Sequence, residues 1–306
     1  MKKHHRYALT LCSLFAAGSA AAQNQLVETS LESSAITPGW MSTEVGAAWS
    51  QGFRGQGVTI TVVDDFSSSS LISGNLGTSN QRLRHGQWTA MEAKLVAPLA
   101  NVVHKDHRTG TAVALQRGLN VINLSYGLMA VAGLNTNQIR WAPQETSIIN
   151  HARSGNAVIA KAAGNDGIAV LGRNARGQSD YLNLTLRGTP TAIYVGALSS
   201  NGTTAAPASM ASYSNTAGTD PTIQRNFLVV GVEGHKTGLY GTSFAAPVVS
   251  GYAAILGSKF KTATPVVITN QLLNTARRDT VRGYNAAVHG RGEASLTRAL
   301  APVAIR

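Results

Sequence analysis

The sequence predicts an α/β fold of three layers, a mostly parallel central sheet covered by helices on both faces. Three observations lead there. Several short runs are almost continuously apolar and rich in β-branched residues, as at 58–63, 121–124 and 157–163, the pattern of strands buried on both faces. These runs alternate with stretches of helical length. Polar residues stand where the runs end, at Asp64, Ser125 and Asn165, and open parallel sheets bind ligands beyond the carboxyl ends of their strands.

Taken in order, residues 1–22 have the form of an export signal. Lys2, Lys3 and Arg6 give a positive start, an apolar run covers 7–17, and Ala20-Ala21-Ala22 offers a small-residue cleavage site. The run is too short to cross a bilayer of roughly 30 Å as a helix, and no later stretch reads as a transmembrane span. The expected location is outside the inner membrane, periplasmic or secreted. Residues 23–40 are polar and unpatterned and read as an N-terminal arm, leaving 41–306 as one domain.

The chain of 306 residues has a single cysteine, Cys12, inside the signal. The mature protein therefore has no disulfide, no thiolate metal site and no cysteine nucleophile. Net charge is +12, of which Lys2, Lys3 and Arg6 supply three. The other basic residues are scattered, without a basic run interleaved with aromatics, which argues against nucleic acid as a partner. A solvated surface, or affinity for anionic envelope polymers, accounts for the charge.

Within the domain, 41–50 reads as a short helix, and Gly52, Gly55 and Gly57 punctuate the turn before the strand at 58–63. Residues 66–80 read as a Ser- and Gly-rich loop, 85–94 as a helix, and 95–103 as an apolar, strand-like run. A helix is expected over 109–117, closed by Gly118. The strand at 121–124 runs into Ser125-Tyr126-Gly127. A helix follows at 145–153, then the strand at 157–163 ending in Gly164-Asn165-Asp166-Gly167. Strands at 192–197 and 227–232 and helices at 243–256, 266–274 and 294–300 complete the set.

Gly241-Thr242-Ser243-Phe244-Ala245-Ala246-Pro247 places a hydroxyl at the head of a helix whose first turn is built from small residues. Small neighbours let a substrate backbone approach, and a helix N-terminus favours a developing negative charge. An ordinary serine cap on an Ala-rich packing helix would look similar. His85-Gly86 follows a polar loop, where a lone histidine is more often structural. Asp64 and Asp65 follow a buried strand, and neighbouring strand residues point to opposite faces, so at most one of them can meet the histidine.

Three of these segments resemble the motifs of the subtilisin-like serine proteases: Val62-Val63-Asp64-Asp65, His85-Gly86, and Gly241 through Pro247. The order Asp, His, Ser is that of subtilisin. Asn123-Leu124-Ser125-Tyr126-Gly127 resembles the family's substrate-binding strand, Ala162-Ala163-Gly164-Asn165-Asp166 the segment carrying its oxyanion asparagine, and Ala47-Ala48-Trp49 with Gly55-Gln56-Gly57-Val58 its approach to the first core strand. The resemblance implies a subtilisin-like peptidase domain over 41–306. It implies a triad of Asp64, His85 and Ser243, and an oxyanion hole from the Asn165 side chain with the Ser243 N–H. It implies substrate binding by Ser125, Tyr126 and Gly127 together with Ala162, Ala163 and Gly164. The expected partner is a polypeptide cut internally, with an apolar side chain preferred at the cleavage site.

Two positions beside the triad depart from the family: Phe66 where Gly is usual and Gln87 where Thr is usual. Only about 41 residues separate Ala22 from Asp64, too few for a folded propeptide, so a separate chaperone or inhibitor is a possible partner. The family often binds calcium, but the chain has 14 acidic residues and no compact Asp-rich loop. No cofactor is expected, Asp166, Asp180 and Asp220 being the candidates if calcium binds. Two other readings compete. One is an impaired subtilisin-like protein that binds peptides or envelope material. The other is an α/β-hydrolase esterase using Ser243, Asp279 and His289, whose elbow would lack its second Gly.

Overall fold

The computed structural model describes residues 37–77 and 79–306. The expected signal, Cys12 and most of the expected arm lie outside the described residues. Trp40, the last residue of that arm, is buried, and its indole Nε1 donates to the Leu76 carbonyl at 3.1 Å. Among the described residues no helix is long and apolar enough to cross a membrane.

Six parallel strands form the central sheet: β1 (Val58–Asp64), β2 (Asn101–Asp106), β3 (Leu119–Leu124), β4 (Val158–Ala162), β5 (Ala192–Leu198) and β6 (Phe227–Gly231). Their spatial order is β6-β5-β4-β3-β1-β2, all parallel. The chain runs outward from β1 to β2, then returns to the other side of β1 with β3. The order therefore reverses at β1 and β3, and the carboxyl ends of such strands frame a ready-made crevice.

Alternation along each strand builds the three layers. Ile60, Val62, Val121, Ala160, Val195 and Val230 belong to one apolar core, with α1 (Thr43–Ser50), α2 (His85–Val96), α4 (Ala246–Lys259), α5 (Pro265–Asn274) and α6 (Leu296–Leu300) supplying its helical side. Val63, Ile122, Leu124, Ile159, Tyr194 and Val229 belong to the other, beneath α3 (Pro143–Arg153) and the short helix Tyr181–Leu186. The helix α4 is buried almost throughout, which explains why its small residues show no polar face.

Three expectations need correction. Residues 109–117 are not helical. Gly110 takes a left-handed φ of 61° after a single 3₁₀ turn. Beyond it the backbone is served by side chains, Val113 N by Ser147 Oγ at 2.8 Å and Gln116 N by Asn120 Oδ1 at 2.9 Å. The bond from Asn120 is local and the one from Ser147 comes from another element, and both offer the backbone an alternative to the helix. Residues 95–103 are not one strand: α2 runs on to Val96, and β2 begins at Asn101. The loop at 66–80 contains a strand, Ile72–Gly74, paired antiparallel with Gln81–Leu83.

Candidate active site

Asp64 is the last residue of β1 and shares the parity of Ile60 and Val62, so it faces α2. His85 is the first residue of α2. The imidazole Nδ1–H donates to Asp64 Oδ1 at 2.6 Å. The Asp64 side chain is 2% exposed and its carboxylate is held at both oxygens: Asp65 N–H reaches Oδ1 at 2.7 Å and the Thr89 hydroxyl reaches Oδ2 at 2.9 Å. Asp65 turns away, its Oδ1 accepting from Ser67 N and Ser68 N. Thr89 was missed by motif reading. The signal was its spacing, four residues after His85 and so on the same helix face.

The two unusual neighbours are accommodated without displacing this pair. Gln87 Oε1 accepts from the Arg84 backbone N at 2.9 Å, serving an otherwise orphaned N–H at the helix start. Phe66 stacks on His104 with ring centroids 4.7 Å apart. A Cβ on Gly86 would lie 2.7 Å from the Asp65 carbonyl and 2.9 Å from the Phe66 ring, so the glycine after His85 is a requirement of packing.

Ser243 lies in a 3₁₀ turn, Thr242–Phe244, that leads into α4 with Pro247 in the helix's first turn. The expected helix therefore begins three residues later than the sequence suggests. The Ser243 hydroxyl donates to the Ser125 carbonyl at 3.1 Å and not to His85. Ser125 Oγ donates back to the Ser243 carbonyl at 2.9 Å and accepts from Asn123 Nδ2 at 2.9 Å. Ser250 Oγ on α4 reaches Asn123 Oδ1 at 3.2 Å. The ring of Phe244 lies 5.6 Å from that of His85.

The Asn165 side chain has a defined orientation. Its Oδ1 accepts from Thr242 N at 2.8 Å and from Thr242 Oγ1 at 2.9 Å, which only an oxygen can do. Nδ2 is thereby turned toward Gly241, where a Cβ would lie 3.2 Å away. The Thr242 hydroxyl also accepts from Gly164 N at 3.0 Å, and Gly164 takes a φ of 112°. Asn215 secures the same loop, with Oδ1 accepting from Asp166 N and Ile168 N and Nδ2 donating to the Ala163 carbonyl. Thr242 and Asn215 are further residues that motif reading did not single out.

Beside Ser243 opens a cavity of about 270 Å³. Ser125, Tyr126 and Gly127 line it together with Ala162, Ala163, Gly164 and Asn165. Burial, with Glu145 beside it, pushes the Tyr126 phenol far up, and the hydroxyl is held by Glu145 Oε1 at 3.1 Å. Tyr126 is therefore a neutral wall. The alternative set is not assembled. Asp279 is bound by Arg277 through two bonds of 3.2 Å, and His289 bonds to Asn285 and stacks on Tyr284, neither of them touching Ser243. Asp180 pairs with Lys161 and Asp220 with Arg187, while Asp166 lies exposed. Among the described residues no three His, Cys, Asp or Glu side chains gather as a metal site.

The family model for the subtilases, Peptidase S8, matches residues 77–293. The chain belongs to the subtilase family. The match takes in His85, Asn165 and Ser243, and Asp64 lies just ahead of it. As a subtilase the chain is a serine-type peptidase acting on polypeptides. Solved structures agree on the fold. The prenylagaramide maturation protease PagA is 18% identical, covers 84% of this chain and 96% of its own, and has a TM-score of 0.56. MycP1 from Mycobacterium smegmatis is 20% identical over 88% and 86%, with a TM-score of 0.54. A protease from Pseudoalteromonas arctica is 17% identical over 90% and 97%, with a TM-score of 0.53. No curated protein matches the sequence.

Proposed function

We propose that this subtilase is an exported serine endopeptidase that cuts polypeptides through an acyl-enzyme, with Asp64, His85 and Ser243 as its triad. The observation that carries the reading is the 2.6 Å bond between His85 Nδ1 and a buried, doubly held Asp64, with the His85 ring 5.6 Å from that of Phe244, the residue after Ser243. With Nδ1 protonated, Nε2 is the basic nitrogen. Ser243 Oγ leaves the Ser125 carbonyl, gives its proton to Nε2 and attacks the scissile carbonyl. Asp64 stabilises the imidazolium, which then protonates the leaving amine. The oxyanion is received by Asn165 Nδ2 and the Ser243 N–H. Water repeats the sequence to release the acyl group.

Casein hydrolysis by the purified mature protein beside Ser243→Ala tests the reading. Digestion by the wild type alone is expected. Export rests on residues 1–22, and the exported protein is expected to begin at Gln23. No structural calcium is proposed, because Asp180 and Asp220 are engaged by cations of the chain itself. Melts with calcium and with chelator should coincide.

One observation favours a second reading, a peptide-binding protein of impaired activity: the Ser243 hydroxyl is bonded to a carbonyl instead of His85. Unliganded sites often tighten only around substrate. A fluorophosphonate probe separates the two. Labelling of the wild type and not of Ser243→Ala supports the enzyme, and no labelling of folded protein supports the binder.

A further inference from the structure

Lys161 is a cation on an apolar surface. It belongs to β4, between Ala160 and Ala162, and its parity places it on the sheet face of Ile159, Leu124 and Tyr194. Its side chain is 1% exposed. The Nζ donates to Asp180 Oδ2 at 3.0 Å and to the Ala162 carbonyl at 2.7 Å. Asp180 Oδ1 accepts from Leu128 N and Leu182 N, each at 3.0 Å. Both side chains line the cavity beside Ser243. Asp180 Oδ2 is 2.8 Å from where a Cβ on Gly127 would stand, so it lies directly behind the wall expected to hold the substrate backbone.

A buried ion pair is poor evidence of stabilisation, since apolar residues of similar volume often serve as well or better. Its location here suggests a different use. An ammonium has three donors, and Lys161 uses two of them on the partners above. The carboxylate oxygen that takes one of those donors can accept once more. One N–H of Lys161 and one lone pair of Asp180 Oδ2 are thus left over side by side, with no net charge. An arginine or lysine entering the cavity would meet Lys161, a glutamate or aspartate would meet Asp180, and a purely apolar side chain would leave both groups without a new partner. A primary amide can satisfy both. The other charge lining the cavity, Asp166, is exposed to solvent, where one charge is worth little.

We propose that the Lys161–Asp180 pair forms the floor of the specificity pocket and selects peptides with glutamine or asparagine on the acyl side of the scissile bond. This rests on the peptidase reading above, and it replaces the apolar preference expected from family resemblance.

The test is a set of fluorogenic peptides identical except at that position, carrying Gln, Asn, Leu, Phe, Glu or Arg, assayed with the wild-type mature protein. Expected is a kcat/KM for Gln or Asn at least about tenfold above Glu and Arg, and above Leu and Phe. A ranking led by Leu, Phe, Arg or Glu overturns the proposal. Turnover of none of the peptides, together with absent fluorophosphonate labelling, instead overturns the peptidase reading. Two variants add a reciprocal check. In Lys161→Met the Arg-to-Gln ratio of kcat/KM should rise about tenfold or more. In Asp180→Asn, which keeps an oxygen for Leu128 N and Leu182 N, the Glu-to-Gln ratio should do so. Unchanged ratios in folded variants overturn the proposal. If removing one partner prevents folding, the wild-type ranking alone decides.

Discussion

Ser125 and Ser243 hold each other by reciprocal hydrogen bonds, each hydroxyl donating to the other residue's carbonyl, at 2.9 and 3.1 Å. They are 118 residues apart in sequence. One bond positions the backbone of Ser243 and the other parks its hydroxyl. Through Asn123 and Ser250 the link continues into α4, so the proposed substrate-binding segment and the proposed nucleophile are set by one buried network.

Ser125→Ala should therefore act through Ser243 as well as at the cavity wall that Ser125 itself lines. It strands the Asn123 amide and the Ser243 carbonyl, at a cost of roughly 1–3 kcal/mol. Thermal melts should show the loss. Turnover should fall as well, because the Ser243 backbone loses its tether. An unchanged melting temperature would mean that water replaces the hydroxyl.

Asp64 and Thr89 separate charge from position. Asp64→Asn keeps the shape but removes the charge and disturbs the tautomer, and kcat should fall by about 10⁴, the effect of that change in a comparable triad. Thr89→Val removes one bond to the charged oxygen, typically about 1.5–3 kcal/mol in strength. If part of that is expressed in catalysis, kcat should fall about ten- to a hundredfold with KM nearly constant. Thr89→Ser, which restores the hydroxyl, should recover most of it. Failure of the serine variant to recover would assign Thr89 to packing.

Thr242 aims Asn165. Asn165→Ala should reduce kcat by about 10²–10³, a magnitude already known for the oxyanion asparagine of subtilisin. Thr242→Val leaves the backbone bond to Oδ1 and removes the hydroxyl one. A smaller loss is expected, again in kcat, with binding of a substrate-like aldehyde weakened in parallel. A pure KM effect would contradict the assignment.

Glu293 makes stability depend on pH. Burial pushes its carboxyl from 4.5 up to about 7, although Gly202 N donates to it at 2.9 Å. A carboxyl raised by folding favours the folded state while it is protonated. Its contribution is therefore present below about pH 4.5 and is lost as pH rises toward 7. The full shift corresponds to roughly 3 kcal/mol at most. Glu293→Gln should flatten that part of the curve, making melting temperature less dependent on pH between 4.5 and 7. An equally steep decline in the variant would place the titration elsewhere, with fully buried Glu92, raised by burial, the next candidate.

Much of this was legible along the chain. The strand read at 58–63 and the helix that follows Ser243 come from local composition, because β-branched runs and small residues favour those backbone forms where they stand, although the helix starts three residues later than read, at Ala246. Residues 109–117 were misread because their donors are served by Ser147 and Asn120, and Ser147 lies on another element. Thr89 is visible once His85 is placed on a helix. Asn215 and Thr242 are not, since each acts on a segment some 50 to 80 positions away.

By itself the sequence determined the layered α/β architecture, the family and the identities of the residues at the strand ends, because periodicity and motif order are properties of neighbours in the chain. Tertiary structure decided which atoms meet. It selected Asp64 over Asp65 for the imidazole, gave the Asn165 amide its direction, and turned Lys161 into half of an ion pair with Asp180. Hydrogen bonds and charge pairs depend on separations of about 3 Å between atoms, and only the packed sheet brings residues that are remote in sequence that close.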